Sequence, residues 1–382
     1  MVRKSKRVLL VIRWPVGGIR TYLRYVFQGS LFDEYEFVVI VPSDSGDLEA
    51  HLNNVFRDKK LRIVSVEPSA IKFIQAIRSE LRSCIDIVHA HGFTAGLLSE
   101  IARLRFLPFG RKAKLIVTTH DVFLPNSFVG FSGTLKKVAM NAMFSRADVV
   151  NPCGFDAAEN VRSYFPSIDS NKILPIRNGI LVDEFEEAAP LDFRGQHEIS
   201  DDTYLFGFFS RFMNQKGFDL LRDAVLMLRS ARPQLPFKVI CLGSGGYIRE
   251  EQAVIHEKSL SDYFVFAPAS KEMPAALRGV DLLVIPSRWE ACPLLPMEAL
   301  VSGTPCLVSD CVGMREVSDN TPAKTFKSGD VQDLFEILLE CIDDLPAFKT
   351  RCQEYKSSAK EEFSSELTSE KLARLYKDLT LD

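Results

Sequence analysis

Short runs of apolar residues alternate along this chain with longer segments in which apolar positions recur at helical spacing. In the first half, the strands predicted from such runs are Arg7–Ile12, Phe37–Val41, Leu61–Val66, Asp86–Ala90, Leu115–Thr119, Val149–Val150 and Ile173–Leu174. The helical segments between them include Ile19–Phe27, Ala70–Arg82 and Leu135–Phe144. This alternation is typical of a parallel β-sheet covered by helices on both faces.

The same rhythm begins again in the second half. The strands predicted there are Tyr204–Phe209, Phe237–Leu242, Phe264–Phe266, Leu282–Ile285 and Pro305–Ser309, and the helices are Phe218–Ser230, Lys271–Leu277, Val331–Leu345 and Leu367–Leu379. An acidic stretch and Pro190 separate the halves, and 382 residues are too many for one hydrophobic core. We therefore predict two α/β domains, residues 1–190 and 191–382, with the last helix packing back on the first domain.

Charge is distributed unevenly between these halves. The chain has a net charge of −3, but residues 1–190 contain 25 Lys and Arg against 20 Asp and Glu, whereas the remainder contains 22 against 30. The first domain is therefore the better candidate to face an anionic partner. It contains a basic patch around the apolar residues 106–109, formed by Arg103, Arg105, Arg111, Lys112 and Lys114. This patch either contacts an anionic membrane surface or is an ordinary loop whose aromatic side chains enter the core.

Several features bear on the cellular location. The amino-terminal apolar run is short, and no run is long enough to span a bilayer. The eight cysteines form no CxxC pair and no metal-ligand cluster, a pattern typical of reduced thiols in the cytosol. We predict a cytoplasmic protein whose contact with the inner face of the plasma membrane is at most peripheral, and nothing indicates a nucleic-acid partner.

The stretch Ile285–Asp310 contains the clearest candidate chemistry. Pro286 ends its apolar run, Pro296 fits the start of a helix, and Gly303 fits the position just past that helix. We expect Glu290 in the loop and Glu298 in the first helical turn, so that both carboxylates meet the free helix N–H groups. That place lies beyond the carboxyl edge of the sheet, where open α/β sheets bind ligands. Two solvated charges favoured by the helix dipole would also fit this pattern.

Two glycines and a histidine are expected at the carboxyl edge of the sheet in the first domain. Gly17 and Gly18 follow the first strand, and without a Cβ their backbone can approach a phosphate or sugar. A simple tight turn would use the same residues. His120 closes the strand before it, and we rank it above His89 and His91 as a functional histidine.

In the second domain, Arg211 and Lys216 flank a turn at the start of a helix. Two cations and a helix amino terminus could together bind one diphosphate, although exposed cations in a loop are also found merely solvated. A glycine-rich turn that begins at Gly243 follows the next strand.

The ordered set of these pieces resembles the retaining nucleotide-sugar glycosyltransferases of family 4, which have two Rossmann-like domains facing a cleft. The pieces are Gly17-Gly18, Thr119-His120-Asp121, Asn178-Gly179-Ile180, Ser210-Arg211, Lys216-Gly217, Gly243-Ser244-Gly245, Glu290, Glu298 and Gly303-Thr304-Pro305. The resemblance covers nearly the whole chain. Ser210 replaces a usual glycine, and Ala291-Cys292 departs from the usual sequence beside the sugar pocket.

The resemblance implies a role for each matching residue. His120, Arg211, Lys216 and Glu290 would be catalytic: His120 and Glu290 beside the donor sugar, and the two cations on its diphosphate. The donor would be bound by Gly17, Gly18, Arg211, Lys216, Gly243, Leu294, Leu295 and Glu298, with Glu298 on the ribose.

The implied reaction is transfer of a sugar from a nucleotide-diphosphate sugar, UDP being the commonest base, to a glycan or lipid-linked acceptor of the cell surface. No cofactor is expected, and since no metal-binding motif is evident, the transfer is predicted to be metal-independent. A nucleotide-sugar epimerase, a sugar phosphorylase and a bilobed sugar-binding protein are the alternatives.

Overall fold

The computed structural model describes residues 5–15, 18–104, 113–186, 188–268, 270 and 272–381. Gly17 and residues 105–112 of the basic patch lie outside this part of the chain. Contacts divide the chain into two compact units, one formed by Met1–Gly179 with Ser365–Asp382 and the other by Ile180–Ser364.

The first unit is built on a parallel sheet. Its strands are β1 Lys6–Ile12, β2 Tyr35–Pro42, β3 Lys60–Val66, β4 Ile87–His91, β5 Lys114–Thr119 and β6 Val149–Pro152. They lie in the order β3-β2-β1-β4-β5-β6, and every pairing is parallel. Its helices are α1 Gly18–Phe27, α2 Leu48–Val55, α3 Ala70–Leu81, α4 Phe93–Leu104, α5 Gly130–Arg146 and α6 Phe155–Tyr164.

The second unit repeats this topology. Its strands are β7 Tyr204–Phe209, β8 Phe237–Leu242, β9 Phe264–Ala267, β10 Leu282–Ile285, β11 Cys306–Ser309 and β12 Lys324–Phe326, in the order β12-β11-β10-β7-β8-β9. Its helices are α7 Asp183–Glu186, α8 Phe193–Gln196, α9 Phe218–Ala231, α10 Ile248–Glu257, α11 Met273–Arg278, α12 Leu294–Ser302, α13 Arg315–Ser318, α14 Val331–Asp343 and α15 Leu345–Phe363.

Both sheets are covered on both faces, which explains why their strands are continuous apolar runs. Residues Val8–Ile12 of β1 are all fully buried, because alternate side chains enter two different core clusters. The predicted class, two Rossmann-like α/β domains, is confirmed by this strand order.

The last helix, α16 Ser365–Thr380, belongs to the first unit. Lys6 donates to the carbonyl and hydroxyl oxygens of Thr380 at 2.8 and 2.6 Å, and Ser369 donates to the carbonyl of Val26 at 2.9 Å. Tyr376 is fully buried in the core beside β1 and β4. The amphipathic pattern of α16 therefore matches a surface of the amino-terminal sheet.

The division between the units falls at residue 180, earlier than the predicted boundary near residue 190. The reason is that Ile180 bonds through its N–H to the carbonyl of Phe363 at 2.8 Å. Arg278 also donates to the carbonyls of Phe185 and Glu186, which ties α7 to the second unit.

Two predicted elements differ from the structure, and one helix of the structure was not predicted. Ile173–Leu174 forms a single bridge between Ile173 and Val150 rather than a strand, and α5 begins at Gly130, before the predicted Leu135. The helix α15 was not predicted because its sequence is mostly polar. Its buried positions, Leu345, Phe348, Cys352, Ala359 and Phe363, nevertheless follow helical spacing.

In the described part of the chain, no helix combines the length and apolar character that crossing a membrane requires. All eight cysteines are free thiols, and all except Cys84 are buried.

Candidate functional site

The second sheet reverses its strand order between β7 and β10, and the loops that follow these two strands carry predicted site residues. The loop after β7 contains Arg211 and Lys216, and the loop after β10 contains Glu290. The carboxyl ends of parallel strands at such a reversal form the usual ligand crevice of an open α/β sheet.

Lys216 and Glu290 form an ion pair in this crevice. The Lys216 Nζ lies 2.6 Å from Glu290 Oε1, with 20% and 9% of the respective side chains exposed. A hydrogen bond between two charged groups at this distance is among the stronger polar contacts in proteins. Sequence reasoning placed these residues in one site but did not predict that they bind each other.

The two loops are held together by contacts around Arg288. Its guanidinium donates to both carboxylate oxygens of Asp219, at 2.8 and 2.6 Å, and its backbone N–H donates to the carbonyl of Gln215 at 2.7 Å. Burial alone would raise the pKa of Asp219, but the hydrogen bonds and charge of Arg288 outweigh it and lower that pKa. Neither Arg288 nor Asp219 was predicted, since no motif distinguishes them from other surface charges.

Gly217 allows this close approach. It has a φ of +64°, and a Cβ at this position would lie 2.0 Å from the carbonyl oxygen of Pro286. The glycine lets the turn that ends at Lys216 pass against the end of β10.

Glu298 and Glu290 are both buried, with 7% of each residue exposed, so neither is a solvated helix-start charge. The prediction that Glu298 lies in the first helical turn is wrong. Because α12 begins at Leu294, Glu298 is in its second turn. Leu294 and Leu295 are the first two residues of α12, and no side-chain hydrogen bond caps the helix start at Pro293.

Arg211 and Gly243 lie beside this crevice. Arg211 is exposed, and among the described residues it forms no ion pair. A Cβ on Gly243 would lie 2.0 Å from the carbonyl oxygen of Ser210, so the glycine-rich turn packs directly on the backbone before Arg211. Ser244 accepts a hydrogen bond from the N–H of Phe212 at 3.0 Å through its carbonyl.

In the first unit, the reversal of strand order falls between β1 and β4. Gly18 begins α1 and is exposed, with open space where a Cβ would be. His91 ends β4, and His120 follows the end of β5. These residues therefore lie at the carboxyl edge of the first sheet, as predicted.

His89 is a fully buried structural residue. The Asn151 amide nitrogen donates to the carbonyl of Leu174, so the amide oxygen of Asn151 is the atom that faces Thr118. The Thr118 hydroxyl therefore donates to Asn151 Oδ1, at 2.9 Å. The Thr118 oxygen therefore accepts from His89 Nε2 at 2.6 Å, and the unprotonated Nδ1 accepts from the Tyr376 hydroxyl at 2.6 Å. Both ring nitrogens are used, which supports ranking His89 below His120.

His91 and His120 contact each other directly. His91 Nδ1 lies 3.0 Å from His120 Nε2, and the rings are stacked with centroids 5.3 Å apart. Tyr22 packs its ring edge-on against His120 at 4.9 Å. Burial lowers the pKa of His120 to about 4, so this imidazole is neutral at physiological pH and can exchange hydrogen bonds without carrying charge.

We expect the first unit to lose stability in mild acid. Burial is the main cause that lowers the pKa of His89 to about 3, and the electrostatic effect of the nearby His120 lowers it further. In the unfolded chain His89 binds a proton below about pH 6.5, whereas in the folded chain it stays neutral. Its contribution to stability is therefore complete above about pH 6.5 and is lost as the pH falls below that value. Lowering the pH from 7.5 to 5 should remove about 2 kcal/mol through His89 alone.

Urea unfolding monitored by Trp14 tests this, with Trp289 replaced by Phe so that the first unit alone is reported. In a His89→Gln variant the pH slope should flatten by about 1.4 kcal/mol per pH unit. If the free energy of unfolding changes with pH equally in the two proteins, the assignment of this pH dependence to His89 is wrong.

Within the described ranges, no group of three or more His, Cys, Asp or Glu residues is arranged to hold a metal ion. Metal independence remains a prediction from the sequence.

Family models match both halves of the chain. The model described as Glycosyltransferase Family 4 matches residues 16–184, and the model described as Glycosyl transferases group 1 matches residues 203–344.

Two curated proteins and one solved structure illustrate the similarity. The lipopolysaccharide core biosynthesis mannosyltransferase LpsB of Rhizobium meliloti is 25% identical over 45% of this chain and 51% of its own length, so the match spans about half of that protein. An uncharacterized 41.2 kDa protein in the cps region of Klebsiella pneumoniae is 22% identical over 90% of this chain and 92% of that protein. The crystal structure of Anabaena HepE in complex with UDP has a TM-score of 0.79 at 18% identity and covers 98% of this chain and 100% of HepE.

Proposed function

Because this chain belongs to the family 4 glycosyltransferases, also described as group 1, it is a glycosyltransferase, and we propose that it is a retaining enzyme that uses a UDP-sugar. The acceptor in this proposal is a glycan or lipid-linked sugar of a cell-surface polysaccharide or lipopolysaccharide. The alternative enzymes of the same shape differ in product, since an epimerase leaves the nucleotide attached and a phosphorylase requires inorganic phosphate.

The observation that carries the proposal is the Lys216–Glu290 pair at the strand-order reversal, with the exposed Arg211 in the same loop. Cleavage of a sugar–diphosphate bond leaves negative charge on the departing diphosphate and positive charge at the anomeric carbon. A cation fixed beside the departing oxygen acts where that charge develops, and one such group can lower the barrier by about 3–4 kcal/mol.

Lys216 can serve Glu290 and a phosphate together, because an ammonium group has three N–H donors. One N–H already meets Glu290 at 2.6 Å, which fixes the direction of the ammonium before any donor binds. In this proposal Glu290 accepts hydrogen bonds from hydroxyls of the donor sugar. It is not required to act as a covalent nucleophile.

The other donor contacts follow from their positions on the second unit. Glu298 would accept hydrogen bonds from the ribose hydroxyls, and the N–H groups of Leu294 and Leu295, the first two residues of α12, would bind phosphate at the helix start. Gly243 would bring the neighbouring backbone close to the nucleotide.

The first unit would contribute His120 beside the sugar, with the backbone at Gly18 closing on the phosphate. His120 is a neutral group held by His91 on one side and Tyr22 on the other. It would therefore bind a sugar hydroxyl without placing a second positive charge beside the anomeric carbon.

Three resemblances support the choice of substrates. HepE was crystallised with UDP, LpsB is named a lipopolysaccharide core mannosyltransferase, and the Klebsiella relative is encoded in a cps region. We accordingly propose UDP as the nucleotide and a cell-surface glycan as the product. A lipid-linked acceptor would be held in a membrane, so the proposal includes peripheral contact between the basic first domain and the inner face of that membrane.

We expect one family of nucleotide sugars to stabilise the protein in the presence of EDTA. Thermal unfolding is measured against UDP-, GDP-, ADP- and CMP-sugars. Ligand at a hundredfold excess over its dissociation constant adds about 2.7 kcal/mol and raises the midpoint by a few degrees. The shift should occur with UDP-sugars and disappear in Glu298→Ala.

The matched control is Glu336→Ala, which removes an exposed carboxylate on α14 of the same unit and should leave the shift intact. A shift with another base alone would replace UDP in the proposal, and a shift that depends on added Mg²⁺ would contradict metal independence.

A further inference from the structure

A cavity lies at the edge of the second sheet opposite the crevice that contains Lys216 and Glu290. Its volume is about 680 Å³, within the range of roughly 300–1,000 Å³ found for small-molecule sites. Its wall is formed where the segment leading into α8, the turn between α11 and β10, the turn between α12 and β11, and one side of α15 meet. All of these segments belong to the second unit.

The cavity is separate from the crevice. Asp281 and Pro305, which line it, directly precede β10 and β11, so the cavity lies at the amino ends of these strands. Glu290 instead follows the carboxyl end of β10, and the four residues of that strand span roughly 13 Å. A molecule in the cavity would therefore not occupy the proposed donor site.

Two of the positive charges in the cavity wall are already neutralised. Arg194 and Lys349 lie 3.0 and 2.6 Å from the carboxylate oxygens of Asp281. The second carboxylate in the wall, Asp192, accepts from the N–H of Gly195 at 2.8 Å at the start of α8. These four charged side chains together carry no net charge.

Arg278 adds a positive charge to this balanced set. It donates through Nη2 to the carbonyls of Phe185 and Glu186, and the Glu186 carboxylate is bound by Lys360. The buried Nε of Arg278 has no hydrogen-bond partner among the described residues. An enclosed N–H without an acceptor costs stability, and an oxygen of a bound anion would satisfy it.

Lys356 adds a second positive charge. It follows Lys349 by seven residues on the same face of α15, and its Cδ would lie 2.8 Å from a Cβ placed on Gly303 in the cavity wall. Burial, and then the charges of Arg278 and Lys360, lower the pKa of Lys356. The surroundings therefore disfavour its charged form, a cost that a bound anion would offset.

Uncharged polar groups line the cavity beside these cations. Ser302 is only 2% exposed, and within the described ranges its hydroxyl has no hydrogen-bond partner. Gln353 donates through its amide nitrogen to the carbonyl of Gly303 at 3.0 Å, so its amide oxygen remains to accept from a ligand. Hydroxyl groups of a ligand would bond to these two side chains.

We propose that this cavity binds a small phosphate monoester that carries hydroxyl groups, at a site separate from that of the donor. Its phosphate contacts Arg278 and Lys356, and its hydroxyls contact Ser302 and Gln353. A phosphate monoester carries a charge of about −1.5 to −2 at neutral pH, which matches two cations better than a single carboxylate does. This inference does not depend on the proposed function.

The first test is hydrogen–deuterium exchange of the full chain with ribose 5-phosphate, inorganic phosphate or ribose at equal ionic strength. Ribose 5-phosphate should protect backbone amides of α11 and α15. Thermal unfolding over a concentration series gives the affinity, and saturating ribose 5-phosphate should raise the midpoint by a few degrees. Ribose should give neither effect, and inorganic phosphate should bind about tenfold more weakly than the ester.

Two variants test the assigned contacts. Lys356→Gln should weaken the binding of ribose 5-phosphate by about tenfold or more, because it removes a charged partner. Ser302→Ala should weaken it by about fivefold without lowering the unfolding midpoint of the free protein, since the hydroxyl that it removes has no partner among the described residues. Arg278 is left in place because it binds the backbone of α7.

Arg351→Gln is the matched control. It removes one positive charge from the same helix as Lys356→Gln, but Arg351 pairs with Asp344 at 2.8 Å and does not line the cavity. This variant should bind ribose 5-phosphate like the wild type.

Binding of ribose 5-phosphate by Lys356→Gln that equals binding by the wild type overturns the inference. So does protection confined to the loops after β7 and β10, equal binding of ribose, or no binding of any of the three probes. Equal affinity for inorganic phosphate shows that the assigned hydroxyl contacts are wrong.

UDP-glucose, measured on the same proteins, separates this inference from the proposed function. Protein that binds UDP-glucose but not ribose 5-phosphate contradicts only the cavity site. Protein that binds ribose 5-phosphate in the cavity but no nucleotide sugar contradicts only the donor proposal.

Discussion

Replacing Lys216 by alanine is expected to lower the rate of sugar transfer by about two to three orders of magnitude. The substitution removes the cation beside the departing diphosphate and leaves Glu290, which is 7% exposed, without its partner at 2.6 Å. Since the charge that Lys216 meets is largest in the transition state, kcat should fall more than KM rises. The measurement is release of nucleotide diphosphate at saturating donor and acceptor.

The matched control is Lys258→Ala. Lys258 also forms an ion pair in the second unit, with Asp223 at 2.8 Å, but it lies just after α10 rather than at the strand-order reversal. Its variant should keep full activity. If Lys216→Ala transfers sugar at the wild-type rate while remaining folded, the assignment of this lysine to the diphosphate is wrong.

Replacing Gly217 by alanine is expected to destabilise the second unit by about 3–5 kcal/mol, at the upper end of single substitutions. Part of the loss, about 1–2 kcal/mol, is the cost of a φ of +64° for a residue with a Cβ. The rest arises because that Cβ would lie 2.0 Å from the carbonyl oxygen of Pro286, which forces the turn away from β10. Lys216 moves with the turn, so transfer should fall as well.

Gly329→Ala separates the two causes. Gly329 lies in the same unit with a φ of +81°, and a Cβ there would meet nothing within 4 Å. Its variant should lose only about 1–2 kcal/mol. Urea unfolding monitored by Trp289, with Trp14 replaced by Phe, reports the second unit. Equal losses in the two variants would show that the contact with Pro286 contributes nothing.

The donor side shows where sequence reasoning worked and where it stopped. Glu290 and Glu298 were expected at the carboxyl edge of the second sheet, and they lie there because each is fixed locally by the end of β10 or by α12. The prediction that Glu298 lies in the first turn of α12 was wrong. It took Pro296 as the start of the helix, but proline is equally acceptable at the third helical position, which Pro296 occupies.

The contacts between these groups were not predictable in the same way. Lys216 and Glu290 are separated by 74 residues, and Arg288 and Asp219 by 69. Their pairing depends on β7 and β10 being neighbours, a consequence of the strand order. The helix α5 is a similar case, because helical spacing places Phe131 and Leu135 on one face but does not show that another face of α5 is already the buried one.

The sequence by itself therefore determined the alternation of strands and helices, the two α/β domains and the family, because periodic burial and short motifs are written in neighbouring residues. Only the tertiary structure decided that α16 joins the first unit through Tyr376 and His89, 287 residues apart, and that Lys216 binds Glu290. The physical reason is that such contacts form between side chains brought together by sheet order and packing, and many partners along the chain are chemically equivalent until the fold selects one.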